Sequence, residues 1–381
     1  MLIFSLALLA ALLVLFIVSD LRSLRRLPVL RPMPGSSGAP VSVIVPARNE
    51  ATRIERLLRS LAQQTACDYE LIVLDDRSED DTAEIVRAYV PALPGLRLLA
   101  GETLPPGWAG KCWACRQAAA AASHGWLLFL DADTEPAPEL IATLLARANE
   151  HRLDFLSVLP FLELHSFSER LLLPPFVALA QVVFQWREVN DPRSRVAFAN
   201  GQCILVRREV YAATGGHAAV RDSVLEDIRL AQVVKDAGYR IELVAAPELL
   251  RVRMYTRFAE VAEGLRKNAW AGYSAGGWRS AWGGFRQAVL VLAPLLLLAA
   301  GLGATIGGYA FADVLVPSGL LLLALTATYW GWRARRLHAL HPAWGLLFPF
   351  GTLAYFALAG LAWLDIRRGA GVRWKGRTYS R

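Results

Sequence analysis

Four long apolar stretches frame a polar middle, and they limit what this chain can fold into more than any other feature. "LIFSLALLAALLVLFIV", starting at Leu2, is long enough to cross a bilayer, and further apolar runs lie at about 287–308, 312–332 and 344–364. The first run has no basic region before it and no small-residue cleavage site after it, so a removed signal peptide is not expected. Arg22, Arg25, Arg26 and Arg31 follow directly, and this positive bias places the next domain in the cytoplasm. The link between the second and third runs holds no Lys or Arg and belongs outside, whereas "RARRLHALH" belongs inside. A plain last crossing would then put the tail outside, yet it carries Arg367, Arg368, Arg373, Lys375, Arg377 and Arg381. Pro349 and Gly351 can interrupt a helix, so the expectation is a re-entrant or tilted hairpin and a cytoplasmic tail.

Composition agrees with a membrane protein: of 381 residues, 55% are hydrophobic and only 19% charged. The formal charge of +8 gathers around the apolar runs, as attraction to anionic headgroups requires. No basic run interleaved with aromatics marks a nucleic-acid surface, so nucleic acid is not an expected partner. Trp270, Trp278, Trp282, Trp330, Trp332, Trp344 and Trp363 fall near headgroup levels, like an aromatic belt. The expected organisation is an anchor over 1–19, a basic Pro/Gly linker over 20–40 and a cytoplasmic domain over 41–260. An amphipathic interfacial segment over 261–286, a transmembrane block over 287–364 and a basic tail over 365–381 complete it. Within the domain, "LLLPPFVALAQVVFQW" (171–186) starts on two prolines between polar segments and reads as a helix lying on the membrane.

From Val41 the pattern alternates strand and helix. "VSVIVP", "ELIVLDD", "LRLLA" and "WLLFL" read as strands, and Ile54, Leu57, Leu58 and Leu61 recur at helical spacing. "SEDDTAEIVRAYV" opens a helix with Asp and Thr at its cap, and the alanine-rich "GKCWACRQAAAAASHG" is a helix running to Gly125. Repeated β-α units with continuously apolar strands mean an α/β fold, a mostly parallel sheet with helices on both faces. Ligands of such sheets sit beyond the carboxyl ends of the strands.

Acidic clusters fall at those places. Asp75 and Asp76 end "LIVLDD", and Asp131 and Asp133 end "LLFLDADT". Along an extended chain side chains alternate, so Asp131 and Asp133 share a side while Ala132 faces away. Two carboxylates on one rim repel unless a cation lies between them, which suits a divalent metal completed by substrate phosphate oxygens. Aspartates acting only as turn formers are the plain alternative. Glu226 and Asp227 open a helix whose apolar face is Leu230, Val233, Val234 and Ala237 and which Gly238 ends; in isolation an ordinary acidic helix start is the better explanation, but it loses ground beside the other two clusters. Cys112 and Cys115 form a C-x-x-C, but no second pair completes a metal or redox site, so both read as small residues facing the sheet. His217, after "GG", could line an acceptor site, but a loop histidine without a ligand role is the better reading.

Taken together and in order, "VSVIVPARNE", "LDDRSEDDT", "GKCWAC…AAAAASHGWLLFLDADT", the "GG" at 215–216 and "LEDIRLAQVVKDAGYRIE" resemble the family 2 glycosyltransferases of GT-A fold over about residues 41–270. The "LPPGWAGK" segment, the anchor and the terminal apolar block are similar to the hopene-associated branch, itself similar to ceramide glucosyltransferases. The resemblance implies that Pro46, Arg48, Asn49 and Glu50 embrace a donor nucleoside, that Asp75 or Asp76 bonds its base or ribose, and that Lys111 approaches the diphosphate. It implies that Asp131 and Asp133 hold Mg²⁺ or Mn²⁺ through the diphosphate and that Asp227 is the general base, with Glu226 beside it on the acceptor side. "RKNAW" supplies Arg266 and Trp270 of the Q/R-x-x-R-W that adjoins the acceptor in membrane-bound relatives, but Ala269 replaces the second arginine. The tail "VRWKGRTY" resembles those of anchored relatives, although lipid-anchoring charge explains it equally.

The implied activity is inverting transfer of one sugar from a nucleotide-sugar, expected to be a UDP-sugar, to a lipid such as a hopanoid at the cytoplasmic membrane. One base and one in-line attack invert the anomeric carbon, whereas retention through a covalent intermediate needs a second flanking carboxylate. A polyprenyl-phosphate sugar synthase or a processive polysaccharide synthase is the alternative within the fold. A polymer synthase, however, needs more crossings and the intact motif. A non-catalytic nucleotide-binding scaffold is the alternative of another class. A transporter is disfavoured because the acidic clusters lie outside the apolar runs.

Overall fold

The computed structural model describes residues 1–33, 39–65, 67–370, 372–374 and 377–379, with 273–276 and the segments after 371 as backbone only. Along the chain run α1 (Leu2–Arg25), β1 (Val41–Ala47), α2 (Ile54–Leu61), β2 (Tyr69–Asp75), α3 (Thr82–Ala88), β3 (Leu96–Ala100), α4 (Gly110–Ala120) and β4 (Trp126–Leu130). Then come β5 (Thr134–Pro136), α5 (Leu140–Glu150), β6 (Phe155–Leu159), β7 (Phe161–Leu162), α6 (Phe167–Val183), α7 (Trp186–Val189), β8 (Cys203–Arg207), α8 (Arg208–Ala213) and α9 (Glu226–Asp236). The remainder is β9 (Ile241–Ala245), β10 (Leu250–Val252), α10 (Phe258–Gly276), α11 (Trp278–Ile306), α12 (Ala312–His338), α13 (Trp344–Arg367), β11 (Val372–Trp374) and β12 (Arg377–Tyr379). These elements form two compact units: Leu27–Glu163 with Trp186–Met254, and Met1–Arg26 with Leu164–Gln185 and Tyr255–Arg381.

The first unit is an α/β domain. Its seven-stranded sheet has the order β3-β2-β1-β4-β8-β6-β9, and a small sheet β5-β10-β7 lies beside it. Neighbours in the large sheet are parallel except around β8, which runs against both β4 and β6. The apolar runs explain why the central strands are covered on both faces. In β1, Val41, Val43 and Val45 pack with Leu57, Leu58 and Leu61 of α2 and Leu144 of α5, while Ile44 is equally buried. Full burial of side chains this size contributes about 1.5–3 kcal/mol each, so the sheet is fixed by its centre rather than its edges.

Two expected boundaries move. The linker expected over 20–40 is partly structured: α1 continues to Arg25, and Leu30 N–H donates to Ala245 O at 2.8 Å while Ala245 N–H donates to Pro28 O at 2.9 Å, adding a bridge at the free edge of β9. On α9 the buried stripe is Leu230, Ala231 and Val234, not the expected face that includes Ala237, which is exposed. Gly238, at φ 87°, ends that helix in the left-handed region open to glycine.

Among the described residues, the second unit holds four helices long and apolar enough to cross a membrane: α1, α11, α12 and α13. Here the expected hairpin at Pro349 and Gly351 is corrected, because α13 is one continuous helix. Gly351 serves close packing rather than a break: a Cβ there would lie 2.1 Å from Leu171 O of α6. The stretch expected to start at residue 171 begins earlier, since Ser166 and Glu169 form a reciprocal capping box that lets α6 run through Pro174 and Pro175. With Leu172, Leu173, Pro174, Pro175 and Ala178 buried, α6 belongs to this helical unit and not to the α/β domain. Residues 261–286, expected as one amphipathic segment, are divided between α10 and α11 at Gly277 (φ 52°).

Buried charge ties these helices together. Asp20 of α1 pairs with Arg286 of α11, and Arg286 also donates to Phe16 O at 2.6 Å. Tyr329 of α12 donates its hydroxyl to Asp20 Oδ2 at 2.6 Å, and Gln181 of α6 reaches Asp20 O at 3.5 Å. Among apolar helices such groups are tolerated only when they satisfy one another. Removing one partner of the pair, as in Asp20→Ala, should cost about 3–5 kcal/mol and lower the thermal-unfolding midpoint in detergent. The double variant Asp20→Leu/Arg286→Met should recover most of that loss.

Candidate active site

In-register pairing brings the carboxyl ends of the first strands level. Ala47 of β1 lies opposite Asp75 of β2, which lies opposite Ala100 of β3. The loops that follow are stitched together: Asp76 N–H donates to Ala47 O at 2.7 Å, Arg48 Nη1 to Asp76 O at 2.9 Å, and Glu50 N–H to Thr82 Oγ1 at 2.8 Å. Asn49, at φ 53°, takes the left-handed region that asparagine tolerates; its N–H donates to Ser78 Oγ and its Oδ1 accepts from Glu79 N–H at 2.8 Å. Asp75 accepts from Ser78 N–H at 3.2 Å, and the Asp76 and Glu50 side chains are buried. Pro46, Arg48, Asn49, Glu50, Asp75 and Asp76 are thereby gathered at one corner of the sheet.

The charged centre lies next to it. Lys111, in the first turn of α4, places Nζ 2.7 Å from Asp131 Oδ1 and 2.9 Å from Glu226 Oε1. Asp227 accepts from Gly201 N–H through Oδ2 at 2.7 Å and from Ile228 N–H through Oδ1 at 2.8 Å. A Cβ at Gly201 would lie 3.0 Å from Lys111 Nζ and 3.1 Å from Asp227 Oδ2. These groups line one cleft together with Pro46, Phe129 and His217. Gly201 arrives there because β8 is antiparallel. Cys203 opens β8 opposite Leu130, the last residue of β4, so the residues before it return to the same rim, where Asp131 N–H donates to Gln202 O at 3.2 Å.

Asp131 and Asp133 do not extend β4. Thr134 N–H donates to Asp131 O at 3.2 Å and closes a turn, so the alternation expected of an extended chain does not apply to the pair. Both are half-buried while Ala132 between them is buried. Among the described residues no cluster of three acidic, His or Cys side chains forms a ready-made metal site. Two carboxylates in one turn fit a divalent cation whose remaining oxygens come from a bound diphosphate.

The electrostatics follow from crowding. Burial opposes the charge on Lys111, but Asp131 and Glu226 outweigh it and hold the ammonium well above the ordinary lysine range. Burial and the neighbouring Glu226 push the Asp227 carboxyl up to about 7, against Lys111 and the two backbone donors. Burial lowers His217 to about 4, so it is neutral at pH 7, with its Nδ1 2.8 Å from the Tyr211 hydroxyl. Cys112 and Cys115 are free thiols raised by burial; Cys115 lines the cleft, while Cys112 turns to Val220 O at 3.4 Å. Arg266 and Trp270 lie on α10 in the helical unit, where Arg266 is ion-paired with Asp365 of α13 and Trp270 is half-buried.

Comparison with known proteins decides the family. Residues 42–215 match the family described as "Glycosyl transferase family 2". The chain carries a family 2 glycosyl transferase domain. The 4,4'-diaponeurosporenoate glycosyltransferase of Staphylococcus aureus (strain USA300) is 27% identical over 358 residues, covering 89% of this transferase and 88% of the relative. The mannosyltransferase PcManGT from Pyrobaculum calidifontis, solved in complex with GDP-Man and Mn2+, superposes with a TM-score of 0.56 at 20% identity, covering 93% of this chain and 97% of that one. The likeness is one of fold, and that fold is GT-A.

Gly201 has no counterpart among the residues singled out from the sequence. Its only signal is the "NGQC" that precedes an apolar strand. Replacing it with alanine in the transferase should leave the fold intact, because the new methyl group meets side-chain ends rather than core. It should nonetheless displace Lys111 or Asp227 and lower kcat by about 10- to 100-fold, read by donor turnover at saturating substrate.

Proposed function

We propose that the protein is a membrane-anchored inverting glycosyltransferase that moves one sugar from a nucleotide-sugar to a lipid acceptor at the cytoplasmic membrane face. The observation that carries this reading is the single cleft where Lys111 bridges Asp131 and Glu226 with Asp227 alongside. One ammonium against three carboxylates leaves the cleft acidic, so a nucleotide diphosphate enters favourably only with a cation. Asp131 and Asp133 would hold that cation, Mg²⁺ or Mn²⁺, and its chemistry there is to neutralise charge gathering on the departing diphosphate. The Pyrobaculum calidifontis structure, with GDP-Man and Mn2+, supports such a pairing by likeness of fold.

The loops carrying Pro46, Arg48, Asn49 and Glu50 on one side and Asp75 and Asp76 on the other would frame the nucleoside, a UDP-sugar being the expected donor. Lys111, in the same cleft, would offer its ammonium to the diphosphate. Asp227 takes the proton from the acceptor hydroxyl while that oxygen bonds to the anomeric carbon; the carbon–oxygen bond to the diphosphate breaks, and the nucleoside diphosphate leaves with the electron pair. Attack opposite the leaving group inverts the centre. An apolar acceptor suits a protein with four candidate spans, and the Staphylococcus aureus relative is named for 4,4'-diaponeurosporenoate. A hopanoid or another isoprenoid lipid is the proposed acceptor class, with Glu226 on its side of the cleft.

A base must be unprotonated to act. With the Asp227 carboxyl near 7, kcat/KM for the acceptor should rise as pH passes upward through about 7 and fall below it. Asp227→Asn should lower transfer by about 100- to 10,000-fold and flatten that limb, while isothermal titration shows nucleotide binding retained. Full activity in this variant would remove Asp227 from the mechanism. Chelation by EDTA should abolish transfer, with Mg²⁺ or Mn²⁺ restoring it.

A further inference from the structure

The helical unit contains a second pocket whose chemistry the transfer reaction does not use. It is an open groove framed by α6, α12 and α13, and its polar lining is Arg170, Arg333, His338 and Trp330 against walls that include Trp344 and Phe348. Arg333 is only 3% exposed, yet its partners are neutral: Nη2 donates to Gln181 Oε1 at 3.0 Å and Nη1 to the Tyr329 hydroxyl at 3.3 Å. The nearby carboxylate that could answer it, Asp20, is already held by Arg286 and Tyr329. Arg170 makes only a side-chain bond to Leu164 O at 3.1 Å. Among the described residues, neither arginine has a carboxylate within ion-pairing distance. Trp330 Nε1 and His338 Nδ1, on side chains 2% and 6% exposed, are buried without a hydrogen-bond partner.

This lining offers donors and positive charge without acceptors. A guanidinium buried among apolar helices without a counter-ion is costly, and an oxyanion removes that cost by taking paired N–H bonds. The indole N–H, and the imidazole in its Nδ1-protonated form, add donors of the same sense. The depth suits a headgroup: the pocket lies at the last turns of α12, beside Arg335, Arg336 and Trp332, residue types that mark the membrane–water boundary. We propose that this pocket binds the anionic headgroup of a membrane lipid, a phosphate or carboxylate held by Arg170 and Arg333, with the lipid chain continuing along the apolar wall. The ring of Trp330, stacked on Phe348 at 3.5 Å between centroids, forms the floor of the site.

The test uses the full chain, delipidated in neutral detergent and followed by native mass spectrometry. Phosphatidylglycerol and oleate should each bind at one copy per chain, at about tenfold lower concentration than phosphatidylcholine. Millimolar inorganic phosphate should not displace them. Arg170→Gln and Trp330→Phe should each weaken retention of both anionic lipids about tenfold; the thermal-unfolding midpoint should hold in the arginine variant, while the tryptophan variant, which loses the donor and part of the buried ring, should show a lower midpoint that added anionic lipid does not restore. Equal retention of phosphatidylcholine and phosphatidylglycerol would overturn the proposal. So would unsaturable binding indifferent to both substitutions. Displacement by inorganic phosphate would overturn the lipid as occupant and leave a site for free oxyanions.

Discussion

The ammonium of Lys111, held between carboxylates from two distant parts of the sequence, is the interaction on which the cleft depends. Asp131 follows β4 and Glu226 opens α9, and one ammonium answers both carboxylates. Lysine can meet both because its charge sits at the end of a flexible stem. Burial, aided by Glu226, pushes the Asp227 carboxyl up to about 7, where it can both accept and surrender a proton. Its proton affinity thus follows from burial first and from the neighbouring carboxylate second.

Much of this was legible in the residues because the signals were local. Continuous apolar strands separated by helices give the mostly parallel sheet, and the strand-end rule points to the rim where Asp75, Asp131 and Lys111 lie. Gly201 escaped notice because its place depends on the direction of β8, and strand direction is a pairing property that apolar runs do not encode. The turn at Asp131–Thr134 was misjudged as extended for a related reason: the hydrogen bond that closes it is made by backbone.

In the helical unit the errors share another cause. Proline and glycine were read as breaks, yet α13 continues past Pro349 and Gly351 because tertiary contact with α6 overrides local propensity. The missed start of α6 had a readable signal in Ser166 and Glu169, whose side chains satisfy each other's backbone groups. The buried polar groups of α1, α11 and α12 carry no sequence signature of partnership at all. Asp20 and Arg286 are separated by most of the chain, and only folding shows that each answers the other.

The order of elements also bears on biosynthesis. Residues 164–185, which include α6, belong to the helical unit but are translated between β7 and β8 of the other unit. A ribosome therefore releases a greasy helix before the sheet has received the strand that brings Gly201 to Asp227, and neither unit can be completed before the other has begun. Excising the α/β unit as a fragment requires two cuts and a splice, not a single truncation.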